Sequence, residues 1–136
     1  MLSVDATAVR LFLHVLAATV WVGGQLTLAG LVPGLRAVSA DAPRAAARRF
    51  NLIAWPAYGV LVATGIWNLF EASFDDRSTE WQVTLFVKLV VVALSGASAL
   101  AHSAASTKLV LAVGGALSGL SSLAALFLGI QLALGG

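Results

Sequence analysis

"LFLHVLAATVWVGGQLTLAGLVPGL", residues 11–35, runs from Arg10 to Arg36 without one charged side chain between them. A helix of about 20 apolar residues, rising about 1.5 Å per residue, crosses the roughly 30 Å hydrocarbon layer of a bilayer. Counting from the apolar boundaries, this first span covers 8–31, and 50–70, 82–106 and 109–133 read the same way. The 136 residues are 60% hydrophobic and 10% charged, with a mean hydropathy of +0.95. A soluble domain of this size cannot hide that much apolar surface in one core. The sequence therefore predicts an all-α integral membrane protein. It is expected to be a four-helix transmembrane bundle of antiparallel, up-down topology, forming a single domain over 1–136. The segments outside lipid, chiefly 32–49 and 71–81, are too short for a soluble catalytic domain, so any chemistry lies within the bundle or at its rims.

The basic residues set the expected orientation. Arg36, Arg44, Arg48 and Arg49 face one acid, Asp41, in the 32–49 stretch, and Lys108 lies between the third and fourth spans. Glu71, Asp75, Asp76 and Glu80 outnumber Arg77 in 71–81. The positive-inside rule puts 32–49 and Lys108 in the cytoplasm and both termini outside. The pI of 9.7 comes partly from these arginines. It points to anionic lipids at the Arg36–Arg49 loop rather than to nucleic acid. The absence of Cys removes disulfides, iron–sulfur clusters and thiolate metal sites. Residues 8–31 are longer than the apolar part of a signal peptide and read as a retained span.

Pro33-Gly34 is expected to end the first span. Ser39 or Asp41 can then cap a helix with Pro43 in its first turn, leading along the surface or straight into the second span. Trp55-Pro56 predicts a kink there. Trp67 and Trp81 read as interfacial aromatics. Gly115, Gly119, Ser122 and Gly129 make a small-residue face on the fourth span, and Ser95, Ala99 and Ser103 a similar one on the third.

Few side chains are left to carry chemistry. His14, Ala18, Trp21 and Gln25 follow one another at helical spacing and stack on one face of the first span. Polar groups are costly against lipid, so that face is expected to point inward. His14 then either ligates a cofactor or hydrogen-bonds a neighbouring carbonyl. Lys88 lies six residues into the third span, roughly 9 Å below its outer edge, at a depth matching His14. It either pairs with His14 or an anionic cofactor group, or snorkels toward Glu80, Asp75 or Asp76. His102 lies about 21 Å lower than Lys88, near the cytoplasmic rim, so His14 and His102 cannot both ligate one haem. An inner site on His102 is the alternative to an outer one on His14, and a solvated helix-end role is the plainer reading. With no Cys and one Met, one copy has no conventional copper or zinc chelate.

"HVLAATVWVGG" (14–24), "RRF" (48–50), "TGIW" (64–67) and "VKL" (87–89), in that order and spacing, resemble the copper-resistance D (CopD) domain family and the related HemJ-type protoporphyrinogen oxidases. The similarity covers roughly 10–105. It implies a small membrane bundle of four or five helices, with a first-span histidine and a third-span lysine as the functional pair. In the HemJ type that pair goes with haem b, so His14 and Lys88 carry over. The chain departs from the HemJ pattern in placing His102 four turns after Lys88 rather than three. It also ends in "QLALGG" where that pattern has a polar, arginine-bearing motif.

The expected function is binding of b-type haem for electron or hydrogen transfer in a bacterial inner membrane. His14 would be the axial ligand, Lys88 or Arg10 would pair with propionates, Trp21 would pack near the macrocycle, and Gln25 or a backbone carbonyl would hold the second imidazole nitrogen. Two other classes stay open. One is metal transport, which would need an oligomer or partner to supply ligands. The other is a structural subunit of a larger membrane complex.

Overall fold

Asp5 opens the first helix. Its carboxylate accepts from the backbone N–H of Ala8 at 2.8 Å, filling one of the donors a helix N-terminus leaves unpaired. In the computed structural model, which describes residues 4–135, the chain continues as α1 (Ala6–Ala18), a π-helical turn (Thr19–Gly23), α2 (Gly24–Val38) and α3 (Ala42–Phe70). A 3₁₀ turn (Phe74–Asp76), α4 (Thr79–Ser103) and α5 (Lys108–Leu134) follow, with no strand among the described residues.

The protein is all-α, as expected. Four helical segments, Ala6–Val38, Ala42–Phe70, Thr79–Ser103 and Lys108–Leu134, are long and apolar enough to cross a membrane. At most 28% of any segment's most apolar stretch is buried inside the protein. Phe12, Phe86 and Leu120 stand more than half exposed. Apolar surface on that scale calls for lipid as its solvent. The chain is a multi-pass membrane protein.

The helix ends differ from those expected. The first helix does not stop at Pro33-Gly34 but runs to Val38 with Pro33 inside it, because a single missing N–H near a helix end costs only one bond. The break is three residues, Ser39 to Asp41, begun by the extended backbone of Ser39. Ser39 Oγ accepts from the Ala42 N–H at 3.1 Å, and α3 then passes straight into the second span and through Pro56 without interruption. Most of the 32–49 stretch is therefore helix, and Arg36, Arg44, Arg48 and Arg49 ride on helix ends rather than on a loop. The third span ends at Ser103, and Thr107 caps α5 by accepting from Val110 N–H at 3.3 Å.

Two compact units make up the chain, Met1–Ala72 and Ser73–Gly136. In the first, α1, the π turn and α2 pack along α3. Gly24 lies directly against the Phe50 ring, where a Cβ would have no room. In the second unit α4 and α5 form a hairpin. Its seam buries Ser95, Gly96 and Ser98 of α4 against Gly114, Ser118, Ser121, Ser122 and Ala125 of α5. Ser95 Oγ donates to the Ser118 carbonyl at 3.2 Å, and Ser118 Oγ returns the bond to the Ser95 carbonyl at 3.1 Å. Small residues bring the backbones close enough for this exchange.

Of the expected Gly115, Gly119, Ser122, Gly129 face, three residues meet α4: Gly115 lies against the His102 ring, Gly129 against the Lys88 side chain, and Ser122 is buried. Gly119 is the exception, since a Cβ there would meet nothing within 4 Å. The backbones themselves come closest at Gly114, where a Cβ would stand 3.0 Å from the His102 backbone nitrogen and 3.1 Å from its Cα. Gly114→Ala must therefore push backbone from backbone, with an expected loss of about 1–3 kcal/mol, whereas Gly119→Ala stays within about 0.5 kcal/mol of wild type. Unfolding in detergent, followed by helical circular dichroism, compares the two.

Candidate functional site

Arg10 and His14 stand one turn apart on α1 and meet Thr64 and Trp67 on α3 and Glu71 at its C-cap. The imidazole is held by its Nδ1, 2.8 Å from Thr64 Oγ1. Thr64 is 5% exposed, and its hydroxyl also lies 2.7 Å from the Val60 carbonyl of its own helix. A threonine hydroxyl has one proton. Giving it to Val60 makes a short bond, whereas turning it to the ring would leave two lone-pair oxygens 2.7 Å apart. The hydroxyl therefore donates backward and accepts from the ring, which puts a proton on Nδ1 and, in the neutral imidazole, leaves the lone pair on Nε2. Gly65 adds room beside the ring: a Cβ there would stand 3.6 Å from His14 Cε1, an ordinary contact.

One turn toward the N-terminus, Arg10 Nη1 lies 3.7 Å from Glu71 Oε1, the one ion pair among the described residues. The guanidinium carbon is 5.9 Å from the Trp67 ring centroid, and Trp67 Nε1 donates to the same Glu71 oxygen at 3.3 Å. Glu71 is 57% exposed, so water screens the pair and its contribution to stability is small. Arg10 Nε is buried with no hydrogen-bond partner. Such an orphaned donor is a reason to look for a ligand group.

Farther down the same helix, Trp21 lies within the π turn and Gln25 just past it. That turn inserts extra residue length into the helix, so the α-helical stacking of His14, Ala18, Trp21 and Gln25 is broken there. Trp21 is 3% exposed. It packs on Tyr58 at 4.5 Å and on Trp55 at 5.4 Å between ring centroids, within the favourable range for aromatic pairs. Gln25 Nε2 donates to the Trp21 carbonyl at 3.0 Å. Periodicity picks out His14, but nothing in it selects Thr64, which looks like any other threonine of a span. The "TGIW" motif was the available pointer, and it draws the eye to Trp67 rather than to Thr64.

Lys88 and His102 belong to the second unit. The Lys88 stem crosses α5 at Gly129, where a Cβ would stand 3.1 Å from Nζ. Among the described residues it forms no ion pair with Glu80, Asp75 or Asp76. His102 Nδ1 donates to the Leu111 carbonyl at 2.6 Å, and its ring lies against Gly115, whose Cβ would stand 2.9 Å from Nδ1. His102 thus clasps the start of α5. Among the described residues no three His, Cys, Asp or Glu side chains come together as a metal site. No family model matches the chain, and no curated protein or solved structure matches it significantly.

Removing the Thr64 hydroxyl strands the ring N–H. Thr64→Val is expected to lower unfolding free energy by about 1–2 kcal/mol and Thr64→Ser by much less. The cost should vanish in a His14→Phe background. Detergent unfolding of the four variants of this cycle, with Thr64→Ser beside them, reads the coupling directly.

Proposed function

We propose that the protein binds a b-type haem, with His14 Nε2 as axial ligand, and serves electron or hydrogen transfer in the bacterial cytoplasmic membrane with both termini outside. The observation that carries this reading is the His14–Thr64 bond, because an iron-ligating imidazole needs its other nitrogen committed to an acceptor. The orphaned Nε of Arg10, one turn away, is the donor that would receive a propionate; Lys88 enters this reading through the family resemblance alone. A bound haem supplies a one-electron centre whose potential follows its ligand and surroundings. Resemblance to the CopD and HemJ families supports the same assignment. Trp21 and Gln25 serve on this reading by fixing the helix below His14 rather than by touching a cofactor. The basic helix ends carrying Arg36, Arg44, Arg48 and Arg49 would meet anionic lipid.

A structural role in a larger membrane complex or homo-oligomer is the second reading, favoured by how much polar chemistry is consumed internally. Ser95 and Ser118 bond each other, and His102 bonds Leu111. Copper handling would need ligands from another copy or partner.

The purified protein, expressed with haem supplied, is expected to show a Soret band that His14→Ala abolishes and that Thr64→Val shifts or weakens. A colourless wild type, or a band indifferent to His14→Ala, overturns the haem reading and leaves the structural one.

A further inference from the structure

Arg48 and Arg49 are neighbours on the exposed side of α3. Ala45 precedes them by three and four residues, and Leu52 follows by four and three. On a helix that spacing places Ala45 one turn to the water side of the two arginines and Leu52 one turn to the membrane side. These four residues line an open cleft of about 510 Å³. Neither arginine has an ion-pair partner among the described residues, and Asp41 is the one acid from residue 32 to 49.

Depth decides what such a cleft meets. Counting about 20 residues of hydrocarbon thickness back from Phe70, the last residue of α3, reaches Asn51. Leu52 then lies inside the hydrocarbon edge, and Arg48 and Arg49 lie within one turn outside it, at the level of lipid phosphates. Arg44 is a further turn out, about 6 Å. Leu52 and Ile53, 68% and 61% exposed, continue the cleft as an apolar track into the membrane. Guanidiniums at the top and aliphatic surface below match a phospholipid's phosphate and acyl chain in both chemistry and order.

We infer that the Ala45–Arg48–Arg49–Leu52 cleft binds the phosphodiester of one anionic phospholipid, with its acyl chain running along Leu52 and Ile53. This deepens, and rests on, the reading that the basic end meets anionic lipid. It narrows that reading from a diffuse attraction to a site.

The test uses the full chain in phosphatidylcholine bilayers containing phosphatidylglycerol, with spin-labelled versions of each lipid reporting the motionally restricted population. Wild type is expected to prefer phosphatidylglycerol. The preference should drop about fivefold per guanidinium in Arg48→Gln/Arg49→Gln, and less in Arg36→Gln/Arg44→Gln. Ala45→Leu, which keeps every charge and suits a helix, should reduce it by filling the cleft that Ala45 lines. Equal losses in the two arginine pairs, or full retention in Ala45→Leu, overturn the site but leave the diffuse attraction standing. A wild type without preference removes the broader reading as well. Displacement by inorganic phosphate at constant ionic strength overturns the lipid as occupant in favour of free phosphate. Helical circular dichroism of each variant confirms that the comparison is between folded proteins.

Discussion

Hydrocarbon offers a polar group no hydrogen-bond partner, and that constraint organises nearly every side-chain bond in this protein. Thr19, Thr27, Thr84 and Ser122 turn their hydroxyls back onto carbonyls of their own helices. Where two helices approach closely enough, the bonds cross between them: Ser95 with Ser118, His102 with Leu111. Trp81 Nε1 reaches the Leu132 carbonyl, one of the acceptors that the end of α5 leaves open. The His14–Thr64 bond belongs to the same economy with one difference. It fixes an imidazole, a group able to ligate iron or move a proton, in one tautomer inside a span.

Packing follows from the same source. With lipid as apolar as leucine, helices gain little by burying large side chains against each other, and close contact falls to glycine, alanine and serine. The second hairpin shows this along its seam, where Gly114 lets the His102 backbone approach and the paired serines lock the crossing. Large residues point outward. In the first hairpin the exception is the Trp21–Trp55–Tyr58 cluster, which fills the space beside the π turn.

The four spans were readable because long uncharged runs have few other physical explanations. Their ends were not, since Pro33 marks a weak point without obliging the helix to stop, and the arginines after it suit a helix end as well as a loop. The importance of His14 was visible from its chemistry alone. Its partner was hidden, because Thr64 differs from Thr19 or Thr27 only in what the neighbouring helix brings opposite it. Gly114 was missed for a related reason: small residues recur all along α5, and which of them meets backbone rather than side chain depends on the partner helix. Trp21 and Gln25 were legible as inward-facing residues, but the π turn that contains Trp21 and precedes Gln25 alters a register that assumes an unbroken α-helix.

The proposed haem ligation by this protein turns on the state of one ring. Nitrogen-15 NMR of the protein labelled at histidine, in detergent and without haem, reads the His14 tautomer from its two ring-nitrogen shifts. The expected result is a proton on Nδ1 and a lone pair on Nε2, with that preference lost in Thr64→Val. A proton on Nε2 in the wild type, or a spectrum unchanged by Thr64→Val, would contradict the account, because the ring would then not be held as an axial ligand requires.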